Sequence, residues 1–260
     1  MPAIQINDIN MHYEITGEGQ PLLLIHGLGS SSRDWESQVP VFAEHYQVVT
    51  FDARGHGRSD KPPGPYSIPM FAEDAAALMR ALDIASAHVV GISMGGMVAY
   101  QLAVSHPTLI KSIVAANCTP ELLVESFKER LQMWQRQLIV RLIGMRKMGE
   151  VLSERLFIKP EQEEIRRIFV ERWAENDPQA YLASTRALVG WSVAEQLHDL
   201  DIPTLVISAD EDYAFFGNKA HYAAMMPNAD LVVIEDSRHA TPAEKPDEFN
   251  QAVLNFLATQ

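Results

Sequence analysis

The sequence of 260 residues predicts an α/β fold, in which an eight-stranded, mostly parallel sheet has flanking helices and an inserted helical cap. Three observations predict this fold. Short apolar runs rich in Val, Ile and Leu recur along the chain, and helical periodicity lies between them. One long interval, between Thr119 and about Glu195, carries helical periodicity alone. Runs that are apolar throughout fit strands buried on both faces, as in a parallel sheet.

The first two strands differ from the others. Residues 3–7 and 10–16 alternate apolar and polar side chains on either side of Asn7 and Asp8, which predicts an antiparallel hairpin with one solvent-facing side. The remaining predicted strands are the apolar runs at 21–27, 47–52, 87–92, 111–117, 204–209 and 230–235. A helix is predicted at 94–105, and another at about 246–258.

The interval without strands predicts a helical insertion, with helices at 121–148, 161–175 and 178–190. We interpret it as a cap over the carboxyl edge of the sheet, and a purely structural helical subdomain is the alternative. The predicted division of the chain is a core of residues 1–118 and 196–260, interrupted by a cap of residues 119–195, which follows the sixth strand.

Composition excludes several classes of protein. The 34 acidic residues against 21 Lys and Arg give a net charge of −13, which argues against nucleic acid or an anionic membrane as a partner. The single cysteine, Cys118, excludes an internal disulfide and favours a cytoplasmic protein. The amino terminus lacks a signal-peptide pattern, and no run of 18 uncharged apolar residues predicts a membrane span.

The strongest local motif is Gly91-Ile92-Ser93-Met94-Gly95, placed where a predicted strand ends and a helix begins. A sharp strand-to-helix turn exposes the serine hydroxyl, and small residues on either side allow the two backbones to approach closely. The positive end of the following helix favours an anionic intermediate nearby. Ser93 is therefore predicted to be a nucleophile.

A serine nucleophile needs a base and an acid that orients the base. His239 follows the last predicted strand, and the loop after strand 204–209 offers Asp210, Glu211 and Asp212. Functional groups of parallel sheets collect at the carboxyl ends of strands, and the chain order serine, acid, histidine is satisfied. Asn117 also ends a strand, but it is not a carboxylate.

The segment His26-Gly27-Leu28-Gly29 closes strand 21–27. A glycine-flanked loop at that place turns a backbone N–H toward an oxyanion, so the predicted donors are the amides of Leu28 and Met94. His26 is interpreted as a support of this loop.

These motifs resemble the α/β-hydrolase superfamily, in its compact bacterial esterase and lactonase branch. The residues that carry the resemblance are 26–29, 51–59, 91–96 and His239 followed by 244–246. The resemblance implies Asp212 as the acid, with Asp210 the remaining alternative, and it implies structural roles for Asp52 and Arg54. His56 is a weak alternative base. Serine at position 93 argues against haloalkane dehalogenases and epoxide hydrolases.

The predicted function is hydrolysis of a small carboxylic ester through Ser93, His239 and Asp212, without metal or organic cofactor. Resemblance to 3-oxoadipate enol-lactonases in residues 52–57, 63–68 and 95–98 makes an enol-lactonase the first alternative. A hydrolase of carbon–carbon bonds and a slow-turnover ligand receptor on the same fold are further alternatives. The sequence indicates no particular oligomeric state.

Side chains of the cap are predicted to determine specificity. Trp134 and Trp191, with Phe215 of the core, are the predicted substrate contacts, and Met133, Leu138 and Met94 could join them in an apolar pocket. Core packing is the alternative for these apolar residues. The cap arginines Arg130, Arg136 and Arg141 would suit a carboxylate-bearing substrate, with a solvated charged face as the alternative.

Overall fold

The computed structural model describes residues 2–124, 126–213 and 219–260. One eight-stranded sheet has the order β1-β2-β4-β3-β5-β6-β7-β8, parallel except for the antiparallel pairings of β1 with β2 and of β2 with β4. Its strands are β1 Ala3–Ile6, β2 Ile9–Thr16, β3 Gln20–Ile25, β4 Tyr46–Phe51, β5 Ala87–Ile92, β6 Ile110–Ala116, β7 Thr204–Ala209 and β8 Ala229–Ile234. The predicted fold class and the hairpin are confirmed.

Helices cover both faces of the sheet. Those with α-helical geometry are α1 Val39–Phe42, α2 Ile68–Ala81, α3 Met94–Ser105, α4 Phe127–Leu142, α5 Met145–Leu156, α6 Glu163–Ala174, α7 Pro178–Leu188, α8 Lys219–Met225, α9 Thr241–Glu244 and α10 Pro246–Leu257. Short 3-10 turns occupy Ser32–Trp35, Pro107–Leu109, Pro160–Gln162 and Ala194–Asp199.

Burial on both faces explains the continuous apolar runs. In β3, Leu23 and Ile25 belong to the core cluster that includes α2 and α3, whereas Leu22 and Leu24 belong to the cluster on the opposite face, with α1 and α10. Successive side chains of a strand point to opposite faces, so a sheet covered on both sides needs apolar residues at every position.

In the described part of the segment between β6 and β7 there are four α-helices, α4 to α7, with their own cluster of buried residues. That cluster packs against Leu28, Tyr213 and Ala240, which lie beside the predicted site residues of the core. The helices therefore lie over the carboxyl edge of the sheet at this place. We retain the division into core and cap as a proposal.

The single helix predicted over 121–148 is wrong. Leu122 exchanges backbone hydrogen bonds of 2.9 Å with Trp191 and Gly190, so the start of this segment is extended. Helix α4 begins only after Ser126, where a capping box with Glu129 satisfies backbone N–H groups. It ends before Gly144, whose φ of +102° interrupts the helix, and α5 continues beyond position 148. Apolar residues continue at helical spacing across the extended start and across the break at Gly144. The sequence pattern therefore does not show where the helix begins or ends.

Most of the periodic apolar residues of α4 are not packed in a core, although core packing was the alternative given for Trp134 and Leu138. Val140 is buried, Met133 and Ile139 are half-buried, and the remaining apolar side chains of α4 are exposed. The exposed members are Phe127, Leu131, Trp134, Leu138 and Leu142. None of the described helices is long and apolar enough to cross a membrane.

Candidate active site

Ser93 occupies a sharp turn between β5 and α3, with φ of +55° and ψ of −119°. Its backbone N–H donates to the Ala116 carbonyl oxygen over 2.9 Å, which attaches the turn to β6. A β-carbon on Gly91 would lie less than 3.0 Å from the Gly95 carbonyl oxygen, and one on Gly95 would lie equally close to that of Ile25. Glycine at both positions is therefore required by the close approach of helix and strands, as predicted from the motif.

Cys118 supports the same turn. Its sulfur lies where a β-carbon on Gly96 would be, within less than 3.0 Å, and the residue is 1% exposed. Burial raises the pKa of the Cys118 thiol to about 12. The thiol is therefore neutral and packed, and its role here is structural.

Three predicted side chains from separate loops form one chain of hydrogen bonds. His239 Nε2 lies 3.0 Å from Ser93 Oγ, and His239 Nδ1 lies 3.0 Å from Asp212 Oδ1. Burial by itself would raise the pKa of Asp212, but the hydrogen bond and charge of His239, together with the charge of Lys219, lower it to about 2. The carboxylate is thus ionised beside the imidazole.

Asp210 has a different environment. Its Oδ1 accepts a hydrogen bond from the Ser237 backbone N–H over 3.2 Å, and Glu211 N–H donates to the Ser237 carbonyl oxygen. Backbone hydrogen bonds outweigh partial desolvation and lower the pKa of Asp210. Of the two candidate acids, Asp212 is the one bonded to His239, and Asp210 holds the loop that carries the histidine.

Two neighbours of this arrangement were not predicted as site residues. Lys219 Nζ donates to Asp212 Oδ2 over 2.7 Å, and Asn117 Nδ2 donates to the His239 carbonyl oxygen over 3.0 Å. No motif marks the lysine. For Asn117 a signal existed, since it ends a strand at the functional edge of the sheet.

The predicted oxyanion donors lie against the serine. Met94 is the first residue of α3, and the first N–H groups of a helix have no partner within it. The loop that carries Leu28 approaches from β3, and a β-carbon on Gly27 would lie 3.6 Å from Cβ of Ser93. Met94 directly follows the serine and Gly27 lies close to it, and the role of the Leu28 and Met94 amides as oxyanion donors remains a proposal.

The two other histidines near this loop are engaged elsewhere. His26 Nδ1 donates to the Gly27 carbonyl oxygen at 2.8 Å, while its Nε2 accepts from the Ala53 N–H at 3.0 Å. His56 Nδ1 donates to the Arg54 carbonyl oxygen at 2.9 Å. Burial, reinforced by the nearby His26, lowers the pKa of His56 to about 3. His26 supports the loop, as interpreted, and the geometry does not favour His56 as the base.

The loop of residues 52–59 is held as the resemblance implied. Arg54 bonds to Asp74 with Nε at 2.6 Å from Oδ2, and its Nη2 lies 2.7 Å from Asp8 Oδ1. Asp52 accepts from the backbone N–H groups of Ser32 and Arg58, each over 2.7 Å. These groups fix the backbone beside the active site.

Of the predicted substrate contacts, the structure describes Trp134 and Trp191 and supports neither. Trp191 is packed in the main core and donates its indole N–H to Gln101 Oε1 over 2.8 Å. Trp134 is 57% exposed on the outer surface of α4. These positions give Trp191 a structural role and do not support a substrate contact for Trp134. Phe215 lies outside the described residues.

Among the three cap arginines, Arg136 is turned toward the interior. It donates from Nε to the buried Tyr181 hydroxyl, and its guanidinium lies 5.4 Å from the centre of the Tyr181 ring. Burial raises the pKa of Tyr213 to about 12, against the opposing positive charge of Arg136. The Tyr213 ring in turn lies 6.0 Å from the His239 ring. Arg130 and Arg141 are exposed.

A cavity of about 220 Å³ lies between α6 and the core. Three of its lining residues, Gly29, Ile92 and Ala240, adjoin Leu28, Ser93 and His239 in the sequence. Trp35 and aromatic residues of the insertion, among them Trp173, form apolar parts of the wall. Among the residues that the structure describes, no cluster of three or more His, Cys, Asp or Glu is arranged to hold a metal ion.

The profile of the family described as the alpha/beta hydrolase fold matches residues 20–246. The chain belongs to this family and is a hydrolase. The predicted resemblance to its 3-oxoadipate enol-lactonase-like branch is confirmed by the relatives that follow.

Two curated relatives are similar over nearly their whole length. RutD of Azorhizobium caulinodans, which is named as a carbamate hydrolase, is 28% identical over 98% of this chain and 98% of its own. The 3-oxoadipate enol-lactonase 2 of Acinetobacter baylyi is 29% identical over 96% of this chain and 94% of its own. A crystal structure of the enol-lactonase from Burkholderia xenovorans superposes with a TM-score of 0.92 at 27% identity, covering 99% of this chain and 100% of that one.

Proposed function

We propose that the protein hydrolyses small carboxylic esters through a covalent acyl-enzyme on Ser93. The observation that carries the proposal is the unbroken series of hydrogen bonds from Ser93 Oγ through His239 to Asp212, each 3.0 Å long. A serine hydroxyl at its ordinary pKa is a weak nucleophile, and an oriented imidazole within hydrogen-bond distance is what activates it.

In the first half-reaction, His239 Nε2 takes the proton of Ser93 Oγ while that oxygen attacks the ester carbonyl carbon. The carbonyl oxygen becomes an oxyanion, which the amides of Leu28 and Met94 stabilise. Asp212, ionised, accepts from His239 Nδ1–H and stabilises the imidazolium. His239 then gives its proton to the departing alcohol oxygen, and the carbon–oxygen bond breaks to leave an ester of Ser93.

In the second half-reaction, His239 takes a proton from water as the water oxygen attacks the acyl carbon. The same two amides stabilise the second oxyanion, and the imidazolium returns its proton to Ser93 Oγ as the acyl bond breaks. The products are a carboxylic acid and the free enzyme. Loss of one oxyanion donor typically costs about 2.7–4 kcal/mol of transition-state stabilisation, so the backbone geometry of the loop at Gly27 and Gly29 contributes to the rate beside the triad.

The cavity beside the site supports a neutral ester as substrate. Trp35, Phe169 and Trp173 give its wall an apolar part, and the arginines at its edge are already paired: Arg33 with Glu175 and Arg172 with Glu36. An apolar acyl or alcohol group fits a wall of this chemistry, because a charged group would lose hydration there without gaining a free partner.

A lactone that carries a carboxylate is the second candidate, and the inward position of Arg136 favours it. The guanidinium is half-buried beside Tyr181 and exerts its charge at Tyr213, next to His239. A guanidinium binds a carboxylate through paired hydrogen bonds. The relative from Acinetobacter baylyi named 3-oxoadipate enol-lactonase 2 agrees with this candidate.

A substrate panel with two arginine variants separates the candidates. The panel contains p-nitrophenyl acetate, p-nitrophenyl butyrate and an enol-lactone with a free carboxylate, and Ser93→Ala is the blank. We expect the neutral esters to have the higher kcat/KM and Arg136→Gln to change it less than about threefold. A higher kcat/KM for the lactone, reduced about 10-fold or more in Arg136→Gln but not in the exposed Arg141→Gln, would replace the ester with the lactone. Unchanged hydrolysis in Ser93→Ala would refute both.

A further inference from the structure

A buried lysine binds the Asp212 carboxylate on the side away from His239 Nδ1. Lys219, the first residue of α8, places Nζ 2.7 Å from Asp212 Oδ2, and His239 Nδ1 lies 3.0 Å from the other oxygen, Oδ1. The side chains of Lys219 and Asp212 are only 9% and 4% exposed. His239 and Lys219 therefore bind different oxygens of the same buried carboxylate.

Such a lysine is unusual. Lysine is among the residues least often buried, because its ammonium group loses hydration unless a partner compensates. Here the partner is the acid that orients His239. The lysine also lies close to Cys118, since its charge partly opposes the rise that burial causes in the pKa of that thiol. The cation thus occupies an interior position between the ends of β6 and β7.

We propose that Lys219 is a positioning residue for the reaction, which fixes the Asp212 carboxylate and limits the stabilisation of a positively charged His239. This inference rests on the proposed function, in which His239 must be neutral to act as a base. The bond from Lys219 to Oδ2 restricts rotation of the carboxylate about its side-chain torsion while Oδ1 is bonded to His239. A cation beside the carboxylate also disfavours a second cation on the imidazole.

Other charged or titratable groups face His239 or its immediate neighbours. These groups are Tyr213 and Glu211 of the loop after β7, Arg238 of its own loop, Glu244 of α9, Arg136 of α4, Arg155 of α5 and Cys118 at the end of β6. All of these groups are present both in the natural protein and in a Lys219 variant. The difference between the natural protein and a Lys219 variant therefore measures the effect of this one cation.

The functional consequence is activity at lower pH. A lone buried carboxylate stabilises the imidazolium strongly and removes the free base in mildly acidic solution. The positive charge of Lys219 opposes that stabilisation from the other side of the carboxylate, so removing this charge should move the acidic limb of activity to higher pH. The effect of one unit charge at this range is on the order of 1 pH unit in the protonation midpoint.

The test is a titration that needs no turnover. Protein labelled with ¹³C-histidine is titrated by NMR, and the His239 signal is assigned by its loss in His239→Gln. Lys219→Met keeps the length of the side chain but removes the charge, and we expect the His239 midpoint to rise by about 1 pH unit. Lys219→Arg retains the charge and is expected to stay within about 0.2 pH unit of the natural protein.

The matched control is Lys147→Met, which removes an exposed lysine paired with Glu150 on α5 and makes the same change in net charge. It should leave the His239 midpoint unchanged. A His239 midpoint in Lys219→Met equal to that of the natural protein would overturn the proposal. If Lys219→Met does not fold, Lys219→Gln is titrated in its place, with the same direction expected and the same result overturning it.

Kinetics provide the second measurement and separate this inference from the proposed function. The acidic limb of kcat/KM for p-nitrophenyl acetate should move to higher pH in Lys219→Met by the same amount as the NMR midpoint, and an unmoved limb would contradict the proposal. If the natural protein hydrolyses no ester, the proposed function fails. The NMR midpoint still decides whether Lys219 acts on His239.

Discussion

The side-chain amide of Asn117 donates a hydrogen bond of 3.0 Å to the backbone carbonyl oxygen of His239. The same amide nitrogen lies 2.7 Å from Thr241 Oγ1, and its oxygen accepts from the Ala209 N–H over 2.8 Å. Asn117, at the end of β6, thus connects the end of β7 to the loop that holds the histidine. Its φ of +47° is a conformation that asparagine tolerates better than most residues.

We predict that Asn117→Asp impairs both folding and catalysis. Aspartate keeps the shape, but an ionised carboxylate cannot donate to His239 or Thr241 and would be buried against a carbonyl oxygen. We expect the free energy of unfolding to fall by about 2–4 kcal/mol and kcat/KM by about 10-fold or more. The matched control is Asn250→Asp, another buried amide, which bonds the Ser37 carbonyl oxygen. It should lower stability and leave kcat/KM near the natural value.

The two aspartates of the acidic loop should differ in their effects. Asp212→Asn leaves His239 without its ionised partner, so we expect kcat to fall roughly 10³–10⁴-fold. Asp210→Asn weakens only the bond to the Ser237 backbone, and should lower the midpoint of thermal unfolding while kcat falls less than about 10-fold. The reverse ranking in steady-state assays would show that Asp210 is the acid.

Gly95 is a sensitive position for stability. A β-carbon there would clash with the Ile25 carbonyl oxygen, which is backbone of a central strand and cannot move easily. We expect Gly95→Ala to lower the free energy of unfolding by about 3 kcal/mol or more. Gly190→Ala is the comparison, because no described atom lies within 4 Å of its β-carbon and only the φ of +79° is unfavourable. It should cost about 1 kcal/mol in urea unfolding. Equal losses would contradict the assigned packing.

The buried His56 should make stability depend on pH. Its pKa is lowered from 6.5 to about 3 in the fold, so between these values the unfolded chain binds one more proton than the folded protein. The contribution of His56 to the free energy of unfolding is fully present above pH 6.5 and decreases as the pH falls. Between pH 7 and pH 5 the natural protein should lose about 2 kcal/mol more than His56→Asn in urea unfolding. If the free energy of unfolding changes with pH equally in the two proteins, the folded protein protonates His56 as readily as the unfolded chain does, and the prediction is wrong.

The sequence predicted those features that depend on one strand or on one turn. Continuous apolar runs specified the strands to within two residues. The turn motif at residues 91–95 selected Ser93, and the rule that functional groups collect at the carboxyl ends of strands selected His239. The register of a family motif favoured Asp212 over Asp210, and the structure bonds Asp212 to the histidine.

What the sequence did not reveal depends on contacts between distant segments. Lys219 carries no motif, and its burial arises from the path of α8 beside β7 and β8. The break in the insertion at Gly144 is concealed because apolar residues continue at helical spacing on both sides. Trp191 was predicted to contact the substrate, but in the structure its indole N–H donates to Gln101 of α3 within the core. Periodicity tells which residues share a face, but not what that face meets.

The central claim is that Ser93 forms a covalent intermediate under the control of His239. Intact-mass measurement after reaction with a fluorophosphonate tests it most directly, followed by peptide mapping of the labelled site. The account predicts one label per chain on Ser93, no label in Ser93→Ala, and labelling slowed about 10³-fold or more in His239→Gln. A label on another residue, or equally fast labelling of Ser93 in His239→Gln, would contradict it.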